Sequence, residues 1–185
     1  MADHLTRAEL QAGLPHILAS PAEDGTLEAV VIRPGHGLRE ELESCDISLA
    51  GGVQGDHWAK GCWLSTDDGE PHPDVQICIM NARCIDHIAG SRDRWALAGD
   101  NLFIDMDIRP ENLPAGQRLR IGTAVIEITG VKHAGCKSFA AHYGQSAVVF
   151  VNARKGSALR LRGVYARVVQ DGRVTAGDRV VKLGY

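Results

Sequence analysis

The feature that most constrains this chain is its run of short apolar stretches, each closed by turn residues. After Gly99-Asp100, the segment NLFIDMDI (101–108) puts Leu102, Ile104, Met106 and Ile108 in one phase and Asp105 and Asp107 in the other. That period of two marks a half-buried strand. LEAVVIRP (27–34) reads as a strand ended by Pro34 and Gly35, and VQICIM (75–80) as another with Val75, Ile77 and Ile79 on one side. QRLRIG and TAVIEITGV predict a hairpin about Gly122, with Ala124, Ile126 and Ile128 sharing a face. GVYARVVQ and RVTAGDRVVKL flank Asp171-Gly172, a strong hairpin signal. Many short strands with few helices predict a mostly β fold, a barrel or a sandwich.

The helical signals are fewer. Thr6 with Glu9 three residues on is a capping-box pattern, opening a short amphipathic helix over 6–19 that Pro15 interrupts. Residues 1–26 are therefore expected to be a helical appendage outside the core, and 27–185 a single domain. Asn81 is placed to cap a helix through Ala89, with Ile85 and Ile88 inward. CKSFAAHYG and SAVVFVNARKG are more helical, with Gly144 and Gly156 as stops. Residues 36–74 are the least regular, and the exposed DDGEPHPD stretch within them reads as part of a functional loop.

Composition narrows the classes. A chain of 185 residues with 44% hydrophobic and 23% charged residues matches an ordinary globular domain. A net charge of -3 gives no basic field for nucleic acid or an anionic membrane, so neither is expected as a partner. The N-terminus has no apolar leader segment, and the five cysteines contain no C-x-x-C pair. Reduced thiols and a cytoplasmic location are the expectation.

Among the cysteines, Cys136 has the most suggestive setting. It follows Lys132-His133-Ala134-Gly135 and opens a predicted helix, so helix dipole and nearby cations would favour its thiolate. Gly135 leaves the sulfur approachable; an ordinary buried cysteine is the alternative. The Gly51–Gly55 stretch ends in Asp56 and His57, which form either an anion cradle or a tight turn. Asp100 and Asn101 occupy a second turn, and Arg162 a strand start where it would meet phosphate or only water. The spacing of His57, Cys62 and His72 fits no common zinc pattern. No nucleophile elbow or H-E-x-x-H is present.

Taken in order, GGVQGDHW, GDNLFIDMDI, LRIGTAVIEITGVKHAGC and RGVYARVVQDGRVTAGDRV resemble the MOSC family, named for the C-terminal region of molybdenum cofactor sulfurases. The resemblance runs from about Leu27 to Val181 and is to the free-standing, bacterial-type members. It implies a β-barrel-like fold with a few peripheral helices, and it places Cys136 at the family's characteristic cysteine. That cysteine is held to carry sulfur as a persulfide, received from a pyridoxal-phosphate-dependent desulfurase, or to ligate molybdenum where the domain binds the molybdenum cofactor. Many members carry Arg and Pro shortly before the cysteine; here Lys132 supplies charge without a bidentate grip.

Three functions follow from these residues. The first is a sulfur carrier or transferase with a persulfide on Cys136, loaded by a cysteine desulfurase or another sulfur donor. In it Asp56 and His57 assist proton movement, and Lys132 and His133 favour the thiolate. The second is a molybdenum-cofactor-binding reductase of N-hydroxylated compounds, with Cys136 as metal ligand and Lys132, His133, Asp100, Asn101 and Arg162 around the cofactor. The third is a non-catalytic β-barrel binding module with inert thiols.

Overall fold

The computed structural model describes residues 4–184; the first three residues of the N-terminal segment and the last residue of the chain lie outside the described residues. The strands are β1 (Gly25–Ile32), β2 (Glu40–Leu42), β3 (Ser44–Ser48), β4 (Gly52–Val53), β5 (Ile77–Asn81), β6 (Leu102–Asp105), β7 (Arg118–Ile121), β8 (Ala124–Ile128), β9 (Val164–Gln170), β10 (Gly172–Thr175) and β11 (Arg179–Lys182). Seven of them close a ring in the order β1-β11-β7-β8-β9-β5-β6 and back to β1. All neighbours in the ring run antiparallel except β5 and β6, which are parallel. β2 lies on the edge of β1, and β10-β3-β4 form a small second sheet.

Alternation along the strands sorts side chains between the two sides of the barrel wall. Leu102, Ile104, Met106 and Ile108 join Ile77, Ile79, Ala124, Ile126 and Ile128 in the barrel interior, as their phase predicts. β1 departs from strict alternation because of a bulge between Leu27 and Ala29. Beyond the bulge Val30 and Ile32 point inward, while Ala29 and Val31 face the helices. The interior is filled by these aliphatic side chains, so the barrel is a packed core.

Among the described residues, five helices cover one side: α1 (Arg7–Ala12), α2 (Leu14–Leu18), α3 (Ala82–Ala89), α4 (Lys137–Asn152) and α5 (Arg154–Ala158). Thr6 and Glu9 form the expected capping box on α1, and the Asn81 side chain accepts from the Cys84 amide at the start of α3. The expectation that the N-terminal segment stays outside the core is corrected. Leu10, Leu14 and Ile17 are buried with Phe103, Ile85 and Tyr143 in a second apolar cluster. Full burial of a leucine such as Leu10 stabilises by about 1.5–3 kcal/mol. Pro15 does not break the packing; it sits in the first turn of α2, where its missing N–H has no helical partner to lose.

Two further expectations change. β9 and β10 are not a hairpin: Asp171-Gly172 is a corner after which β10 pairs with β3, while β11 pairs with β7 and β1. The stretch 36–74 is not structureless either, since it supplies β2, β3, β4 and the 3-10 turn Trp58–Lys60, and a second such turn, Pro73–Val75, begins at its end. Gly144 interrupts α4 as expected, with φ 85 and ψ 163, a conformation open to glycine. Gly156 does not stop a helix; it lies inside α5, where a Cβ would run into the Phe150 carbonyl.

Candidate functional site

The site lies against the outer wall of the barrel, not in a mouth. Cys78 on β5 and Tyr165 on β9 are directly opposite in register, and both face away from the interior. In front of them is a cavity of about 550 Å³, with walls from the chain after β1, the 57–63 loop, Ala98-Gly99 and residues 132–138. Cys136, the exposed member of the five free cysteines, lines it from the position before the first residue of α4. Cys62 and Cys78 also line it.

Two arginine–carboxylate pairs support the cavity. Asp56 is buried and accepts from Arg33 Nε at 2.8 Å, Arg33 Nη2 at 2.9 Å, the Arg33 amide, the Trp58 amide and Asn101 Nδ2. Burial pushes its carboxyl up, but the Arg33 hydrogen bonds and charge outweigh this and hold it below the ordinary carboxylate value. The remaining Arg33 N–H groups reach Gly99 O, Cys78 Sγ and Asn101 Oδ1. Asn101 is thus a buried bracket between β1, β5 and Asp56 and does not line the cavity.

The second pair is Arg162 with Asp100, at 2.6 Å between Nη1 and Oδ2. Arg162 is no surface arginine. It is buried, donates to Ala98 O, and lies over the Phe139 ring. Asp100 is fully buried, and burial raises its carboxyl above the usual value, with Arg162 opposing. Among the described residues, this pair leaves polar atoms without partners: Asp100 Oδ1, Arg162 Nε and, 3.7 Å from Asp100 Oδ1, His133 Nδ1. Arg39 Nε, on the cavity wall, is also buried and unpartnered.

His133 corrects an expectation. Its imidazole packs against the Tyr165 ring at a 34° tilt with centroids 4.3 Å apart, and its side chain is only 6% exposed. Burial, then the charges of Arg162 and Arg33, lowers its pKa well below the ordinary value, so it is neutral and adds no positive charge beside Cys136. The cations that line the cavity are Lys132, Arg33, Arg39 and Arg162.

Of the residues singled out in the sequence, Cys136, Lys132, His133, Arg162 and His57 line one cavity, while Asp56, Asp100 and Asn101 stand outside its lining. His57 is partly exposed, its Nδ1 3.0 Å from Arg33 O. Sequence reasoning missed Arg33 and Arg39, and it missed Trp58 and Trp63, whose rings join Tyr165 around the cavity. Arg33 had one available signal, its place at the end of a strand just before Pro34-Gly35. Among the described residues, no group of three or more His, Cys, Asp or Glu side chains is arranged to hold a metal ion.

Comparison with solved structures finds the same fold repeatedly. The YUAD protein from Bacillus subtilis superposes with TM-score 0.64 at 21% identity, covering 88% of this chain and 97% of that one. YiiM from Geobacillus stearothermophilus gives 0.60 at 13% identity, with 86% and 75% covered. YiiM from Escherichia coli gives 0.54 at 18%, with 86% and 70% covered. No curated protein matches by sequence. The MOSC domain family matches residues 66–181, more than half of the sequence. On that match, together with the closed seven-strand barrel and its peripheral helices, the chain belongs to the MOSC domain family.

Proposed function

We propose that this chain binds the molybdenum cofactor in the cavity, with Cys136 as a ligand to the metal and the cationic wall holding the anionic part of the cofactor. The observation that carries this reading is an exposed thiol on a cavity whose guanidinium groups keep N–H bonds unpartnered, at Arg39 Nε and Arg162 Nε. The residues fit the group. A volume of about 550 Å³ suits a small-molecule ligand. Guanidinium groups suit phosphate oxygens, and a thiolate is a soft ligand. Bound there, the cofactor would supply redox chemistry for reducing N-hydroxylated compounds.

The chain's own residues do the rest. Arg33, locked by Asp56, presents fixed positive charge, while Lys132 adds charge at an exposed position and Arg39 at a half-buried one. Trp58, Trp63 and Tyr165 give the cavity aromatic walls against which a flat ligand ring can pack. His133, packed against the Tyr165 ring, lines the cavity without adding to its positive charge. The test is metal content after expression in a cofactor-producing host. Molybdenum should copurify with the protein and be lost from Cys136→Ser; a serine variant that keeps its metal would overturn the assignment.

A second reading, sulfur carriage, is favoured by the exposure of Cys136, which lets another protein reach it. The Cys136 thiolate attacks the outer sulfur of a donor persulfide; a new S–S bond forms, the donor's S–S bond breaks, and the donor leaves as thiolate. Incubation with a cysteine desulfurase and cysteine should add one sulfur atom to Cys136 by mass spectrometry. Equal loading of Cys136→Ser would rule this out.

A further inference from the structure

The residue before Cys136 is hydrogen-bonded from the far end of α4. Laid straight at ~1.5 Å per residue, the sixteen residues of α4 would carry Asn152 about 24 Å from its start. Instead, Gly144 turns the chain back on itself. Asn152 Oδ1 accepts from the Gly135 amide at 2.8 Å, and Asn152 Nδ2 donates to the Gly135 carbonyl at 2.9 Å. One side chain thereby satisfies both backbone groups of the residue before Cys136, as a neighbouring strand would. Among the described residues, 131–135 make no other backbone hydrogen bond.

The fold-back is built tightly. A Cβ on Gly144 would lie 2.8 Å from His4 Nδ1, in addition to the strain of its φ of 85. A Cβ on Gly135 would lie 3.1 Å from Val151 Cγ2, next to Asn152 in sequence. Phe139 and Tyr143 before the kink and Phe150 and Val151 after it are all buried in the same apolar cluster, so both halves are anchored.

We propose that Asn152 is a positioning residue for Cys136: by gripping Gly135 it holds the thiol over the cationic cavity. The inference rests on the reading of Cys136 as the reacting group. Its test uses neither cofactor nor sulfur donor, so either can fail without the other.

Cys136 is alkylated in the metal-free protein with iodoacetate and, separately, with iodoacetamide at one pH, and the product is quantified at that site by peptide mass spectrometry. Both reagents consume the thiolate, so the ratio of the two rates cancels the fraction ionised and reports the field at the sulfur. At low ionic strength the ratio should exceed that of glutathione several-fold, and it should fall with added salt. In Asn152→Ala it should drop to about the glutathione value, while cooperative unfolding and the protection of buried Cys84 are kept, the melting temperature falling only by the loss of the two Gly135 hydrogen bonds. Asn152→Leu, which matches asparagine in the number and branching of its side-chain heavy atoms and is uncharged, repeats the measurement should alanine fail to fold. A folded Asn152 variant with the wild-type ratio, or a wild-type ratio no higher than that of glutathione, overturns the proposal.

Discussion

Arg33–Asp56 and Arg162–Asp100 are both buried ion pairs behind the same cavity, yet they are completed to different degrees. All five N–H bonds of the Arg33 side chain have acceptors, and Asp56 accepts from two backbone amides besides Arg33 and Asn101. Around Arg162, by contrast, Asp100 Oδ1, Arg162 Nε and His133 Nδ1 have none. A buried polar atom without a partner costs about 1–3 kcal/mol. The first pair is therefore scaffold, tying the end of β1 to the loop at Asp56 and to β6 through Asn101. The second holds uncompensated polarity close to where a ligand would bind, and occupancy of the site would have the most to gain there.

The largest expected effect tests the scaffold. Asp56→Ala strands the Arg33 guanidinium, and removing one partner of a buried pair costs about 3–5 kcal/mol; urea denaturation should show it, and a loss under 1 kcal/mol would break the distinction between the two pairs. Asp100→Asn keeps an acceptor for Arg162 and breaks a pair that is already incomplete, so a smaller loss of about 1–2 kcal/mol is expected by the same measurement. Arg39→Ala should leave stability within about 0.5 kcal/mol, since no salt bridge is removed, yet reduce molybdenum occupancy several-fold.

Acidification sharpens the contrast because the two carboxyls shift in opposite directions. Asp56 lies below its unfolded value of 3.8, so its contribution is complete above that pH and is lost as pH falls through the lower folded value. Asp100 lies above 3.8, so the folded protein holds its proton more tightly. That contribution is full below 3.8 and is lost as pH rises through the folded value. The stability gap between wild type and Asp56→Asn should shrink toward low pH, while the change for Asp100→Asn runs the other way. Parallel curves would show that the two pairs are electrostatically alike.

Much of this frame is legible in local pattern, because local pattern reports burial. The phase of Leu102, Ile104, Met106 and Ile108 predicts the interior face of β6 and the residues after it, and Asn81 predicts the start of α3. Pairing is a different matter. Asp-Gly after β9 suits a hairpin, but the partner of β10 is β3, whose short SCDIS run sits in a stretch that reads as loop. In α1 and α2, Leu10, Leu14 and Ile17 carry a helical apolar stripe, which outweighs the presence of Pro15. Cys136 stands out by its local company. Arg33, Arg39 and Asn152 do not, since each acts on groups brought near it only by the fold.

A ring with an odd number of members cannot alternate up and down all the way round; somewhere two neighbours must point the same way. Here that parity constraint falls on β5 and β6. The chain leaving β5 must therefore cross back over the wall through α3 and the Arg92–Ala98 turn before β6 can begin. The return path sets down Ala98, Gly99, Asp100 and Asn101 behind Cys78, with the Asn101 amide donating to Cys78 O. The address of the Asp100 carboxylate is in this sense arithmetical, and a barrel closed with one strand more or one fewer would have no topological need for that crossing.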